Sequence, residues 1–136
     1  MGMKAVIRVL IADDNLAVRR SLMLLLGSTP GIEPVGQAAH GQQALELCET
    51  LRPDILVLDL NMPGPGGIET MRRIREACPW VSVLVLTGST DRSLLNDALQ
   101  AGASACLTKD TTGERLLAAI RGAASAAADN DSVITA

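Results

Sequence analysis

Four scarcities bound what this 136-residue sequence can be. No apolar run approaches the length of a membrane span, so a transmembrane helix is not expected. The opening "MGMKAVIRVLIADD" carries two basic groups but reaches Asp13 too early for a secretory signal. There is no basic excess. The formal charge is −3, which denies the chain a nucleic-acid footprint of its own. Cysteine is sparse and unpaired in pattern: Cys48, Cys78 and Cys106 form no CxxC, and the single histidine, His40, leaves too few ligands for zinc. An odd, scattered set of thiols argues for a reducing, cytoplasmic compartment rather than a disulfide framework. Aromatics are nearly missing too, with one tryptophan, Trp80, and no phenylalanine or tyrosine.

What remains is an ordinary globular composition, 48% hydrophobic and 20% charged, of a length that suits one domain with one core. Apolar runs alternate with helical patterns. Residues 5–12, 32–38, 54–60, 81–88 and 104–108 read as strands. The first, third and fourth are rich in Val, Ile and Leu on both faces, as in a parallel sheet covered by helices on both sides. A first helix is expected from about Asn15 to a left-handed cap at Gly27. Further helical stripes are Ala44, Leu47, Cys48 and Leu51; Ile68, Met71, Ile74 and Cys78; Leu94, Leu95, Ala98 and Leu99; and Leu116, Leu117, Ile120, Ala123 and Ala127. Five β–α units in series predict an α/β sandwich with right-handed crossovers. After Gly122 the Ala-rich, then polar, sequence predicts a helix that frays into a tail.

Ligands of open parallel sheets sit beyond the carboxyl ends of the strands. The expected ends are Asp13-Asp14, Asp59, Thr87-Gly88 and Thr108-Lys109. Each residue alone has an ordinary reading: Asp14 or Asn15 as a helix cap, Thr87 as a loop hydroxyl, Lys109 as a solvated cation. Gathered on one edge, they point to phosphoryl transfer. Three carboxylates need a cation between them, and hard oxygen ligands suit Mg²⁺, which would bridge them to an incoming phosphoryl group. Asp59 is then the nucleophile, Lys109 neutralises phosphoryl charge, Thr87 bonds a phosphoryl oxygen, and Gly88 leaves access.

The stretches "IADDN", "DILVLDLNMPGPGGIE", "VLVLTG" and "GASACLTKD", at this spacing, resemble the receiver domains of bacterial two-component response regulators over residues 5–125. The resemblance implies a doubly wound, flavodoxin-like sheet of order 2-1-3-4-5, an order for which a receiver is a standard illustration. It implies a signalling switch, not an enzyme with a separate substrate: a sensor histidine kinase phosphorylates Asp59, and the domain catalyses only its own phosphorylation and dephosphorylation. Asp14 would bind Mg²⁺ directly, Asp13 through water, and Asn61 by its backbone carbonyl. "LDLNMPGPGG", "REACPWVSVLVLTG" and "ERLLAAIRGAA" most resemble regulators with a LuxR-type helix-turn-helix output. Residues 1–125 would thus be the receiver and 126–136 a tail or the start of a linker to an output domain not in this sequence. Phosphorylation would promote a homodimer, and DNA would be reached only through that output domain.

Two positions depart from the family pattern. Gly66 stands where an Asp or Asn usually precedes the last glycine of the loop, which is expected to alter loop flexibility alone. Cys106 stands where a Tyr or Phe usually follows the movement of the Thr87 position, and its small side chain weakens that response. Three rival readings meet obstacles or support in the same residues. A haloacid dehalogenase-type hydrolase needs a second acid two residues after its nucleophile, on its first strand; here the residue is Asn61 and the strand is the third. A flavodoxin-like cofactor binder needs a phosphate loop where Asp13-Asp14 would repel phosphate. A phosphorylation-independent dimerisation module does not need the acidic set, although Cys106 is compatible with it.

Overall fold

The computed structural model describes residues 6–64 and 66–135, with side chains to residue 127. Ala5, Pro65 and Ala136, which the sequence reading places in the first strand, the loop after Asp59 and the tail, lie outside the described residues. Within them, β1 (Ile7–Ala12), β2 (Ile32–Ala38), β3 (Ile55–Leu58), β4 (Ser82–Thr87) and β5 (Ala105–Thr108) alternate with α1 (Leu16–Gly27), α2 (Gly41–Leu51), α3 (Gly67–Ala77), α4 (Arg92–Gln100) and α5 (Gly113–Thr135). All pairings are parallel and the order is β2-β1-β3-β4-β5.

Side-chain alternation along the central strands explains the two-sided wrapping. Leu10, Leu56, Leu58, Val83 and Val85 face one layer, where Ala44 and Cys48 of α2, Met71 and Ile74 of α3 and Ala98 of α4 complete a buried cluster. Val9, Ile11, Ile55, Val57, Leu84 and Leu86 face the other, against Leu22 and Leu26 of α1 and Leu116, Ile120 and Ala123 of α5. Because both faces are covered, the strands read as continuous aliphatic runs rather than alternating ones. Pro34, which cannot donate to a ladder, sits on the edge strand β2, where the register with β1 shifts.

Two helix ends differ from expectation. Gly27 is the last residue of α1 and carries no left-handed cap; Ser28 follows at φ −98°, and its N–H and hydroxyl donate to Leu24 O. The left-handed cap falls instead on Arg52 after α2, at φ 51°, where Arg8 Nη1 donates to the Leu51 and Arg52 carbonyls at 2.8 and 2.9 Å. The helical backbone of α5 continues to Thr135 rather than fraying after Gly122. Alanine has the highest helix propensity, and neither proline nor glycine follows Gly122 to stop it.

Candidate functional site

Parallel register brings the strand ends level. Ala12 pairs with Leu58, Leu58 with Val85, and Thr87 with Thr108. The next residue of each chain therefore enters one edge, and backbone bonds hold it there. Asp13 N–H donates to Ala38 O at 3.0 Å, Asp59 N–H to Ala12 O at 2.9 Å, and Lys109 N–H to Thr87 O at 2.9 Å. β3 itself ends at Leu58, so Asp59 is delivered just past the strand rather than inside the expected 54–60 run.

Asp13 and Asp59 are buried, at 2% and 3% relative exposure, and such carboxylates need compensation. Lys109 provides it, with Nζ 2.8 Å from Asp13 Oδ2 and 3.0 Å from Asp59 Oδ2. Burial alone would lower the Lys109 pKa; hydrogen bonds and charge from the two aspartates outweigh it and hold the ammonium above the ordinary lysine value. The remaining oxygens are used as well. Asn15 N–H donates to Asp13 Oδ1 at 2.8 Å, and Asn61 N–H to Asp59 Oδ1 at 3.0 Å.

Asp14 is different. It is exposed, its carboxylate receives no hydrogen bond among the described residues, and it lies with Asp13 and Asp59 so that one oxygen from each falls within 4.8 Å of the others. Three oxygen donors so close, with one acid uncommitted, fit a hard divalent cation of the Mg²⁺ type. Asn15, the alternative cap candidate, indeed caps α1, its side chain accepting from Val18 N–H at 3.1 Å.

Thr87 is fully buried, and its hydroxyl accepts from Asn61 Nδ2 at 3.1 Å and Ser89 N–H at 3.3 Å. The sequence reading used only the Asn61 carbonyl and missed its side chain. Arg19 was missed as well. It links α1 to the loop after β1, with Nη1 donating to Asp13 O and Nε to Gln37 Oε1. Nothing in the local spacing marks either contact, since both depend on the sheet register. Cys106 lies half-buried on β5 and directs its thiol at Leu95 O, 3.8 Å away on α4; burial raises its pKa, so it sits as a small apolar group. A groove of about 340 Å³ between α1 and the start of α5, lined by Ala17, Ser21, Leu25 and Gly113, opens beside Lys109.

The family described as response regulator receiver domain matches residues 9–121. The nitrate/nitrite response regulator protein NarL of Escherichia coli K12 is 39% identical over 116 residues, 85% of this chain and 54% of that protein. Response regulator GacA of Pseudomonas aeruginosa is 36% identical over 115 residues, 85% of this chain and 54% of its own length. The chain thus spans about half the length of these curated relatives. A LuxR-family two-component response regulator from Aurantimonas sp. SI85-9A1 superposes with a TM-score of 0.84 at 34% identity, covering 89% of this chain and 86% of that one.

Proposed function

Since the chain belongs to the response regulator receiver domain family, we propose that its switch is set by phosphorylation of Asp59 and read through Thr87 and Cys106. The observation that carries this reading is the Lys109 ammonium bonded to both Asp13 and Asp59 beside the uncommitted Asp14. A carboxylate oxygen of Asp59 attacks the phosphorus of a phosphohistidine on a sensor histidine kinase. The P–N bond breaks, and the imidazole leaves with the electron pair. Lys109 and the Thr87 hydroxyl bond the transferred oxygens. Hydrolysis of the acyl phosphate by water resets the domain, so its catalysis acts only on itself.

Asp14 and Asp59 would hold Mg²⁺ directly, Asp13 would hold it through water, and the Asn61 carbonyl would complete the protein's share. Bound there, the ion supplies positive charge against the phosphoryl oxygens. The apolar groove beside Lys109 would offer a donor domain a surface to rest on next to the site. No helix among the described residues is long and apolar enough to cross a membrane, and a cytoplasmic location suits three thiols that are free and unpaired. The full-length protein, by likeness to curated regulators of which the matched segment is about half, would carry a helix-turn-helix output and act on transcription as a phosphorylation-promoted homodimer. Residues 1–125 form the receiver in this reading, and the end of α5 leads toward the output.

The test is mass spectrometry after incubation with Mg²⁺ and acetyl phosphate. One phosphoryl group is expected on the native chain and none on Asp59→Asn. Equal labelling of the variant would remove Asp59 from the mechanism, and a native chain that takes up no phosphoryl group would favour the phosphorylation-independent dimerisation module.

A further inference from the structure

Asn61 spans two groups that the phosphoryl site needs. Its backbone N–H donates to Asp59 Oδ1 at 3.0 Å, and its side-chain amide donates to Thr87 Oγ1 at 3.1 Å. A threonine hydroxyl has one proton to give and two lone pairs to receive with. Both lone pairs of Thr87 are engaged, one by Asn61 Nδ2 and one by Ser89 N–H, and among the described residues the hydroxyl bonds to neither Asp59 nor Lys109. Its proton is the one hydrogen-bonding capacity it has left. We infer that the Asn61 amide is a positioning group that makes the Thr87 hydroxyl an acceptor and so reserves its proton for an oxyanion on Asp59.

The inference rests on the proposed phosphorylation of Asp59 and adds a rule about residue 61. The side chain there must donate to Thr87. A group that accepts takes the proton instead, and a group that does neither leaves the hydroxyl free to rotate. Asn61 is exposed, so its side chain can be changed without opening a cavity, whereas the hydroxyl it holds is buried. A hydrogen bond to a charged acceptor is worth roughly a tenfold change in affinity or somewhat more. That sets the scale of the effect.

The experiment is a double-mutant cycle on beryllofluoride affinity in the presence of Mg²⁺, followed by fluorine NMR and calorimetry. Asn61→Ala is expected to weaken beryllofluoride binding about fivefold to tenfold, and Asn61→Asp further, because the added carboxylate also consumes the Thr87 proton. In a Thr87→Val background the loss from Asn61→Ala is expected to vanish. The part of the Asn61→Asp loss caused by charge should persist there, since charge repulsion does not need the hydroxyl. If Asn61→Ala weakens binding equally in both backgrounds, Asn61 merely supports the loop and the inference fails. Tighter binding by Asn61→Ala would overturn it differently, showing an amide that accepts the Thr87 proton through its oxygen. A native chain that does not bind beryllofluoride at all would instead defeat the underlying assignment of Asp59.

Discussion

Adjacent aspartates at the end of β1 are made unequal by what surrounds them. Asp13 is buried with one oxygen on Lys109 and the other on Asn15 N–H, whereas Asp14 is exposed and receives no hydrogen bond among the described residues. Mg²⁺ can therefore engage Asp14 without breaking a protein contact. Calorimetric titration should show Asp14→Ala weakening Mg²⁺ binding far more than Asp13→Ala, with the exposed Glu69→Ala as the neutral control; unchanged affinity in both acidic variants would relocate the metal site. Lys109 supports a second prediction, on pH. Its pKa is raised in the folded chain, so its stabilising contribution is complete below the unfolded value, about 10.4, and is lost as pH rises through the folded value. Thermal melting from pH 9 to 12 should show a steeper alkaline loss in the native chain than in Lys109→Met, the excess being the lysine's share. The sequence has no tyrosine to confuse the scan, and Lys4 is the only other lysine. The thiols, all raised by burial and Cys48 to about 12, contribute equally to both proteins. The residue types at the sheet edge were legible because a buried aliphatic run ending in a carboxylate is chemically conspicuous. Which oxygen each one occupies was not, since that depends on register to about an ångström.

The loop between β3 and α3 shows how an element's geometry is dictated at two glycines. Gly66 precedes α3 at φ 94°, a conformation that L side chains rarely adopt, and it gives the helix no side-chain cap. The sequence reading treated this glycine as a matter of flexibility. The backbone holds it at φ 94° and ψ 145°, a region favouring glycine that an Asp or Asn in its place would enter under strain. Gly67 is constrained by contact. A Cβ there would stand 2.4 Å from Leu60 O and 2.5 Å from Leu60 Cα, both backbone atoms with nowhere to go. Gly67→Ala should therefore cost about 1–3 kcal/mol in urea denaturation, as overpacking does. It should also slow labelling of Asp59, because the displaced Leu60 lies between Asp59 and Asn61. A variant as stable and as quickly labelled as the native chain would show that the loop is softer than this contact implies. The β–α alternation itself was readable from periodicity, but the strand order was not; it came from the resemblance, because periodicity does not say which strands are neighbours. The end of α1 was misread for a related reason. A glycine at a helix end suggests a left-handed cap, but here the Ser28 and Thr29 hydroxyls bond the terminal carbonyls and make one unnecessary.

At the scale of the molecule, the sheet separates a chemical edge from an opposite edge, where Arg52 stacks 4.0 Å above the Trp80 ring. A signal generated at Asp59 must leave by elements that touch the chemical edge, and β5 with α4 is the candidate route. Thr87 pairs with Thr108 in the ladder, and Cys106 lies two residues before Thr108 on the same strand, packed toward the cluster that includes Leu94 and Ala101. Burying a large apolar side chain at this position would contribute roughly 1.5–3 kcal/mol, enough to bias a two-state equilibrium tenfold or more. Cys106 is too small to contribute that in full. Phosphorylation should still proceed, because the chemistry does not use residue 106, while the conformational response in β5 and α4 should be muted or carried by the loop before α4. Hydrogen exchange with and without beryllofluoride, in the native chain and in Cys106→Tyr, measures this directly. A larger change in exchange over α4 and β5 in the Tyr variant is the expected result, because Cys106 is half-buried on an edge strand and a ring there would have more apolar surface to bury than the thiol when the site rearranges. If the native chain already responds strongly over the same elements and the tyrosine adds nothing, coupling runs through the aliphatic contacts of β4 and α4, and an aromatic at residue 106 was never required.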